Sequence, residues 1–85
     1  MTHFAKRSFW KSYEALPSDV RQLADKSFAL LRANPRHPSL HFKKVGRFWS
    51  ARVSENYRAV GIEVEDGIVW LLIATHAEYT ALIRS

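Results

Sequence analysis

Apolar positions in the first third of the chain recur with a helical period. Phe9, Tyr13 and Leu16 fall at i, i+4 and i+7, one face of a short helix over Ser8 to Leu16. Pro17 interrupts it, and Ser18 or Asp19 can cap the helix that follows. There Val20, Leu23, Ala24, Phe28 and Leu31 share a face, with Arg21, Gln22, Asp25, Lys26 and Arg32 elsewhere. This helical hairpin must stop by Asn34-Pro35, and Pro38 keeps the connection extended. From Leu40 the period drops to two. His41 to Val45 read as a strand, followed by a turn at Gly46-Arg47. Phe48 to Ser54 set Trp49, Ala51 and Val53 against Phe48, Ser50, Arg52 and Ser54. Tyr57 to Glu65 alternate likewise, with Arg58 sharing the parity of Val60, Ile62 and Val64. Asp66-Gly67 is a two-residue hairpin signal of the type that needs positive φ. Ile68 to Ala74 is apolar throughout, which is how a central strand covered on both faces reads. Thr75-His76-Ala77-Glu78 is a capping box that opens a short last helix through Ile83.

Helices followed by strands indicate an α+β domain: an N-terminal helical hairpin packed on a three- to four-stranded, mostly antiparallel sheet, with a short C-terminal helix. Thr2 to Lys6 would add at most a short further strand. At 85 residues, one domain over 1–85 is expected.

Composition narrows the chemistry. With 47% hydrophobic residues the chain has enough apolar material to fold unaided, so disorder of its bulk is excluded. It has no cysteine, which removes disulfides and thiolate metal sites. Its longest apolar run, Ile68 to Ala74, is far short of the roughly 20 residues of a spanning helix. The start, Met1 to Arg7, lacks the apolar stretch of a secretory signal, so a cytoplasmic location away from membranes is expected. The formal charge of +5 attracts polyanions, and its distribution is uneven. From Arg36 to Arg58 lie Arg36, Lys43, Lys44, Arg47, Arg52 and Arg58, against the single acid Glu55.

That element order joins four local signatures. They are Phe42-Lys43-Lys44-Val45, Trp49-Ser50-Ala51-Arg52-Val53, Asn56-Tyr57-Arg58-Ala59-Val60 and Ile73-Ala74-Thr75-His76. The set resembles the RelE/ParE superfamily, toxins of type II toxin-antitoxin systems, over nearly the whole chain from Ser8 onward. The resemblance implies a RelE/ParE-like sheet that accepts mRNA on the ribosome or, in the ParE branch, contacts DNA gyrase. It also implies a cognate antitoxin that wraps the protein. The ribonuclease branch is a metal-free mRNA endoribonuclease that inhibits translation without any cofactor. By this resemblance Arg58 matches the arginine after the strand tyrosine, and Arg52 the upstream one. Lys43 and Lys44 match the preceding basic strand, with Arg47 adding to the same phosphate-binding set. His76 matches a histidine that some ribonuclease members carry after the last strand, and Tyr79 an aromatic residue one turn on. The pattern also departs from the family. Ile68 to Ala74 holds no arginine where the ribonuclease branch keeps one, and Arg84 lies at the far tail.

Two functions therefore stand side by side, an endoribonuclease and a non-enzymatic gyrase inhibitor. A degenerate member that only binds an antitoxin is a third. Metal-free RNA cleavage needs a base at the ribose 2′-OH, an acid at the leaving oxygen and cations for the charge between them. Imidazole exchanges protons near neutral pH, and arginine forks suit phosphate. Each candidate also has a plain reading. His76 is otherwise an exposed first residue of a helix, Tyr79 an aromatic packing that helix, and Arg58 a side chain whose stem lines the core edge. Lys43, Lys44, Arg47 and Arg52 otherwise form a solvated basic face, and alternation sends Lys43 and Lys44 to opposite sides. His41 is a lesser candidate on the face of Lys43, and His3 and His37 read as surface residues. Among the tryptophans, Trp70 reads as core, while Trp10 and Trp49 are free to stack on bases.

Overall fold

A computed structural model of the chain describes residues 2–84. Strand β1 (Thr2–Ala5) leads into helices α1 (Arg7–Glu14) and α2 (Ser18–Ala33). A 3₁₀ turn (Pro38–Leu40) then precedes strands β2 (Lys43–Val45), β3 (Phe48–Arg52), β4 (Tyr57–Val64) and β5 (Gly67–Thr75), and helix α3 (His76–Arg84) closes the chain. The five strands form one sheet in the order β1-β5-β4-β3-β2, antiparallel except for the β1–β5 pair. The expected α+β architecture is present, with one strand more than the alternation alone required. β5 lies between β1 and β4, which accounts for its unbroken apolar sequence.

The sheet has two covered faces. On one, Leu16, Ala24 and Leu31 of the helical hairpin pack over Ala51, Ala59, Trp70 and Ile73. On the other, α3 buries Tyr79 against Val60 and Ala74, with Phe48, Leu72, Leu82 and Ile83 around them. Trp70 and Ile73 share a face despite opposite parity, because β5 contains a bulge: Val60 pairs with Leu72 but Gly61 with Trp70. Leu71 is the extra residue. β1 ends opposite Trp70, and two serines of α1 continue the edge. Ser8 donates to the Leu71 carbonyl at 2.6 Å, and Ser12 accepts from the Ile73 N–H at 2.9 Å. These hydroxyls, four residues apart on one helix face, satisfy groups that no strand reaches.

Several sequence expectations are corrected. α2 starts on Pro17 with no side-chain cap, so neither Ser18 nor Asp19 serves as one. Leu23 and Phe28 stay exposed at 43% and 44%, leaving Ala24 and Leu31 as the buried residues of that helix. The strand expected from His41 starts at Lys43, because Leu40 plunges into the core and His41 turns left-handed at φ 45°. The β4–β5 loop is Glu65-Asp66 rather than Asp66-Gly67, with Val64 paired to Gly67. Neither loop residue has positive φ. Gly67 is required for another reason: a Cβ there would overlap the backbone carbonyl of Thr2 in β1. His3 is half-buried rather than a surface residue, and His37 caps the 3₁₀ turn by accepting the Ser39 N–H at 3.2 Å.

Candidate functional site

Arg58, Arg52 and Lys43 share the face that carries α3. In register across the sheet, Arg58 stands between Arg52 of β3 and Ala74 of β5. The small Ala74 leaves room for the guanidinium to lie over the ring of Tyr79, 5.2 Å from its centroid. One terminal nitrogen of Arg58, Nη2, donates to the His41 carbonyl at 2.9 Å and to Ser50 Oγ at 3.1 Å. Its Nε is buried with no partner among the described residues. Both of these acceptors are neutral, so no carboxylate is hydrogen-bonded to Arg58 among the described residues. Burial lowers the Arg58 pKa; the Tyr79 side chain opposes this and the Arg52 charge adds to it. The guanidinium still stays charged at any working pH.

Two features hold this cation that the sequence reading missed. Ser50 is 1% exposed, and its hydroxyl both accepts from Arg58 and approaches Tyr79 Oη at 3.4 Å. Its only signal was a small polar residue in the alternation Phe48, Ser50, Arg52. His41 contributes its backbone rather than its imidazole. The left-handed turn aims its carbonyl at Arg58, and strand parity with Lys43 does not extend to it.

His76 is the first residue of α3, with an exposed side chain. Its N–H donates to the Asn56 carbonyl at 2.8 Å, which fastens the helix start to the β3–β4 loop. Thr75 and Glu78 form the expected reciprocal capping box, at 2.9 and 3.1 Å. These bonds hold the Glu78 carboxyl below its ordinary range, the Thr75 backbone N–H first and its hydroxyl second. The His76 ring lies 6.2 Å from that of Tyr79, centroid to centroid. Tyr79 thus neighbours both Arg58 and His76, and it is only 5% exposed.

The remaining basic residues divide. Lys43 is opposite Ser50 and shares the Arg58 face, whereas Lys44 is opposite Trp49 on the other. Arg52 is half-buried beside Arg58 and also borders the cavity beneath α2. Arg47 stacks on Phe48 at 5.2 Å, two rows along the strands from Arg58. Trp70 is core at 3% exposed. Trp49 stacks on Phe42 at 4.8 Å and donates to Glu63 at 3.1 Å. Among the described residues no group of three or more His, Asp or Glu side chains could hold a metal ion. No helix among them is long and apolar enough to cross a membrane. An apolar cavity lies on the opposite face, under the helical hairpin, apart from the cationic chemistry.

A helical hairpin on one face, α3 on the other and a parallel β1 beside β5 together make the RelE/ParE toxin fold. Solved structures with this fold cover nearly all of the chain. A chain of the RelB–RelE antitoxin-toxin complex from Methanococcus jannaschii matches with a TM-score of 0.71 at 14% identity, over 93% of this chain and 96% of that one. The YoeB/ParE toxin from Agrobacterium tumefaciens matches at 0.67 and 14% identity, over 89% and 99%. YafQ from E. coli strain BL21(DE3) matches at 0.67 and 13% identity, over 92% and 96%. No family model matches the sequence, and no curated protein matches it. At these identities the likeness is one of fold.

Proposed function

We propose that the chain is a toxin of a type II toxin-antitoxin system that cleaves mRNA without a metal, on the ribosome, and so inhibits translation. The observation that carries this reading is the Arg58 guanidinium, hydrogen-bonded to neutral acceptors only and set on Tyr79, whose ring also neighbours the His76 imidazole. In this reading Arg58, joined by Arg52 and Lys43, neutralises the scissile phosphate as the 2′-oxygen attacks phosphorus and the bond to the 5′-oxygen breaks. His76 exchanges the proton at one of the two reacting oxygens. Tyr79, being buried, acts by holding the guanidinium plane rather than by touching RNA. Lys44 and Arg47 lie off this centre and guide the approach of the polyanion. The solved antitoxin-toxin complex with the same fold supports a cognate antitoxin as partner, and a cytoplasmic location follows from the reaction.

A ParE-type gyrase inhibitor is the second reading. One observation favours it: β5, Gly67–Thr75, supplies no arginine, and the two sheet arginines, Arg52 and Arg58, come from β3 and β4. Induction of the wild type, Arg58→Ala and His76→Ala separates the two. The nuclease reading expects a prompt block of protein synthesis that both substitutions abolish. Continuing translation with induced DNA damage signalling would replace it with the gyrase reading.

A further inference from the structure

His3 sits where nothing in the proposed reaction needs it. Its Nδ1 accepts the indole N–H of Trp70 at 3.0 Å, and its ring lies beside the edge of that indole with centroids 6.0 Å apart and planes 20° apart. Phe28 of α2 meets it edge-on, also at 6.0 Å. On one side is an apolar cavity of about 290 Å³ between the helical hairpin and the sheet. On the other is a more open hollow bounded by Thr2, Arg32 and Pro35. His3, Phe28 and Leu31 line both and form the wall between them.

We propose that His3 is an acid-sensitive latch: neutral, it closes this wall and ties β1 to Trp70, and protonated, it lets both go. A neutral imidazole has one acceptor nitrogen, and here it is spent on Trp70. Imidazolium has none, so two donors would face each other across a dry contact. The open hollow gives the ring access to protons. Charges around it add to the effect. Arg32 approaches from α2, its guanidinium 5.8 Å over Phe28, and the amino terminus is also positive. On the cavity side Asp25 is engaged by the Tyr13 hydroxyl at 2.7 Å, and Arg52 stands at the margin. Trp70 and its β5 neighbours Ile68 and Val69 bring no charge. The His3 pKa is lowered, by burial first and then by these positive charges. A histidine whose folded pKa is depressed contributes stability that is intact above the ordinary value of 6.5. It is lost as the pH falls through the folded value.

The test is a titration of the intact chain from neutral to mildly acidic pH. The Trp70 indole N–H is followed by NMR, assigned with Trp70→Phe, together with amide exchange in β1. The latch requires that the indole resonance shift with a midpoint below 6.5 and that β1 protection fall about fivefold, the worth of one buried hydrogen bond. His3→Gln, which keeps an acceptor but cannot take up the proton, should leave both observables flat. A wild-type indole resonance that does not titrate would overturn the proposal. So would β1 protection unchanged at the acidic end, or an identical titration in His3→Gln.

Discussion

Arg58 faces opposing demands. Its aromatic neighbour and two acceptors fix the guanidinium in place, yet Nε is buried with nothing to bond and no carboxylate is among its acceptors. A half-buried cation of this kind does little for folding, since desolvation offsets what its neutral partners return. Arg58→Met should therefore leave the urea midpoint unchanged or raise stability by up to about 1 kcal/mol, while toxicity is lost. A fall of more than about 2 kcal/mol would mark Arg58 as a structural strut instead. Ser50→Ala should cost about 1 kcal/mol and weaken binding of single-stranded RNA, because it removes one of the two acceptors of Arg58 and the hydroxyl beside Tyr79 together. Chemical denaturation and a salt-controlled RNA titration check the pair. At this scale the sequence was partly legible. Arg58 was visible from its place beside Tyr57. The His41 carbonyl was not, because a left-handed turn at a non-glycine residue leaves no pattern in the neighbouring residues.

At the scale of elements, two junctions decide where the site and the sheet edge lie. Thr75 and Glu78 begin α3 and so place His76 and Tyr79. Thr75→Ala should cost about 1 kcal/mol and lower translation inhibition by displacing His76. Because the Glu78 pKa is depressed, its contribution is intact above the ordinary value of 4.5 and lost as the pH falls through the folded value. Glu78→Gln, which removes the titrating carboxyl, should therefore flatten that acid limb, as read by thermal denaturation from neutral pH downward. Gly67 fixes the other junction. Gly67→Ala drives a methyl into the Thr2 carbonyl, so β1 should lose amide protection selectively, at about 2 kcal/mol. Uniform loss across β3 and β4 would contradict this. The capping box could be read from sequence because both partners are three residues apart. The β5 bulge could not, since an unbroken apolar run has no alternation to interrupt. The helix face of α2 was read too wide: periodicity marks Leu23 and Phe28 as apolar, but not how far the helix lies from the sheet.

Over the whole molecule, charge and depth part company. The sheet separates an apolar cavity under the helical hairpin from a cationic face built by β2, β3, β4 and α3. The uneven charge from Arg36 to Arg58 was plain in sequence, because a hairpin of short strands gathers what is near along the chain. The approach of His76 to that cluster depends on α3 folding back over β4 and β5, and only the resemblance to a known family foretold it. The central claim is that Arg58 and His76 act on one phosphodiester. Its most direct test is to incubate purified protein with ribosomes programmed with a defined mRNA, in a control reaction and with Arg58→Ala and His76→Ala. The account predicts cleavage in the coding region that leaves a 2′,3′-cyclic or 3′-phosphate end, reduced about a hundredfold or more by each substitution. Intact mRNA with the wild type, or cleavage undiminished in both variants, would contradict it.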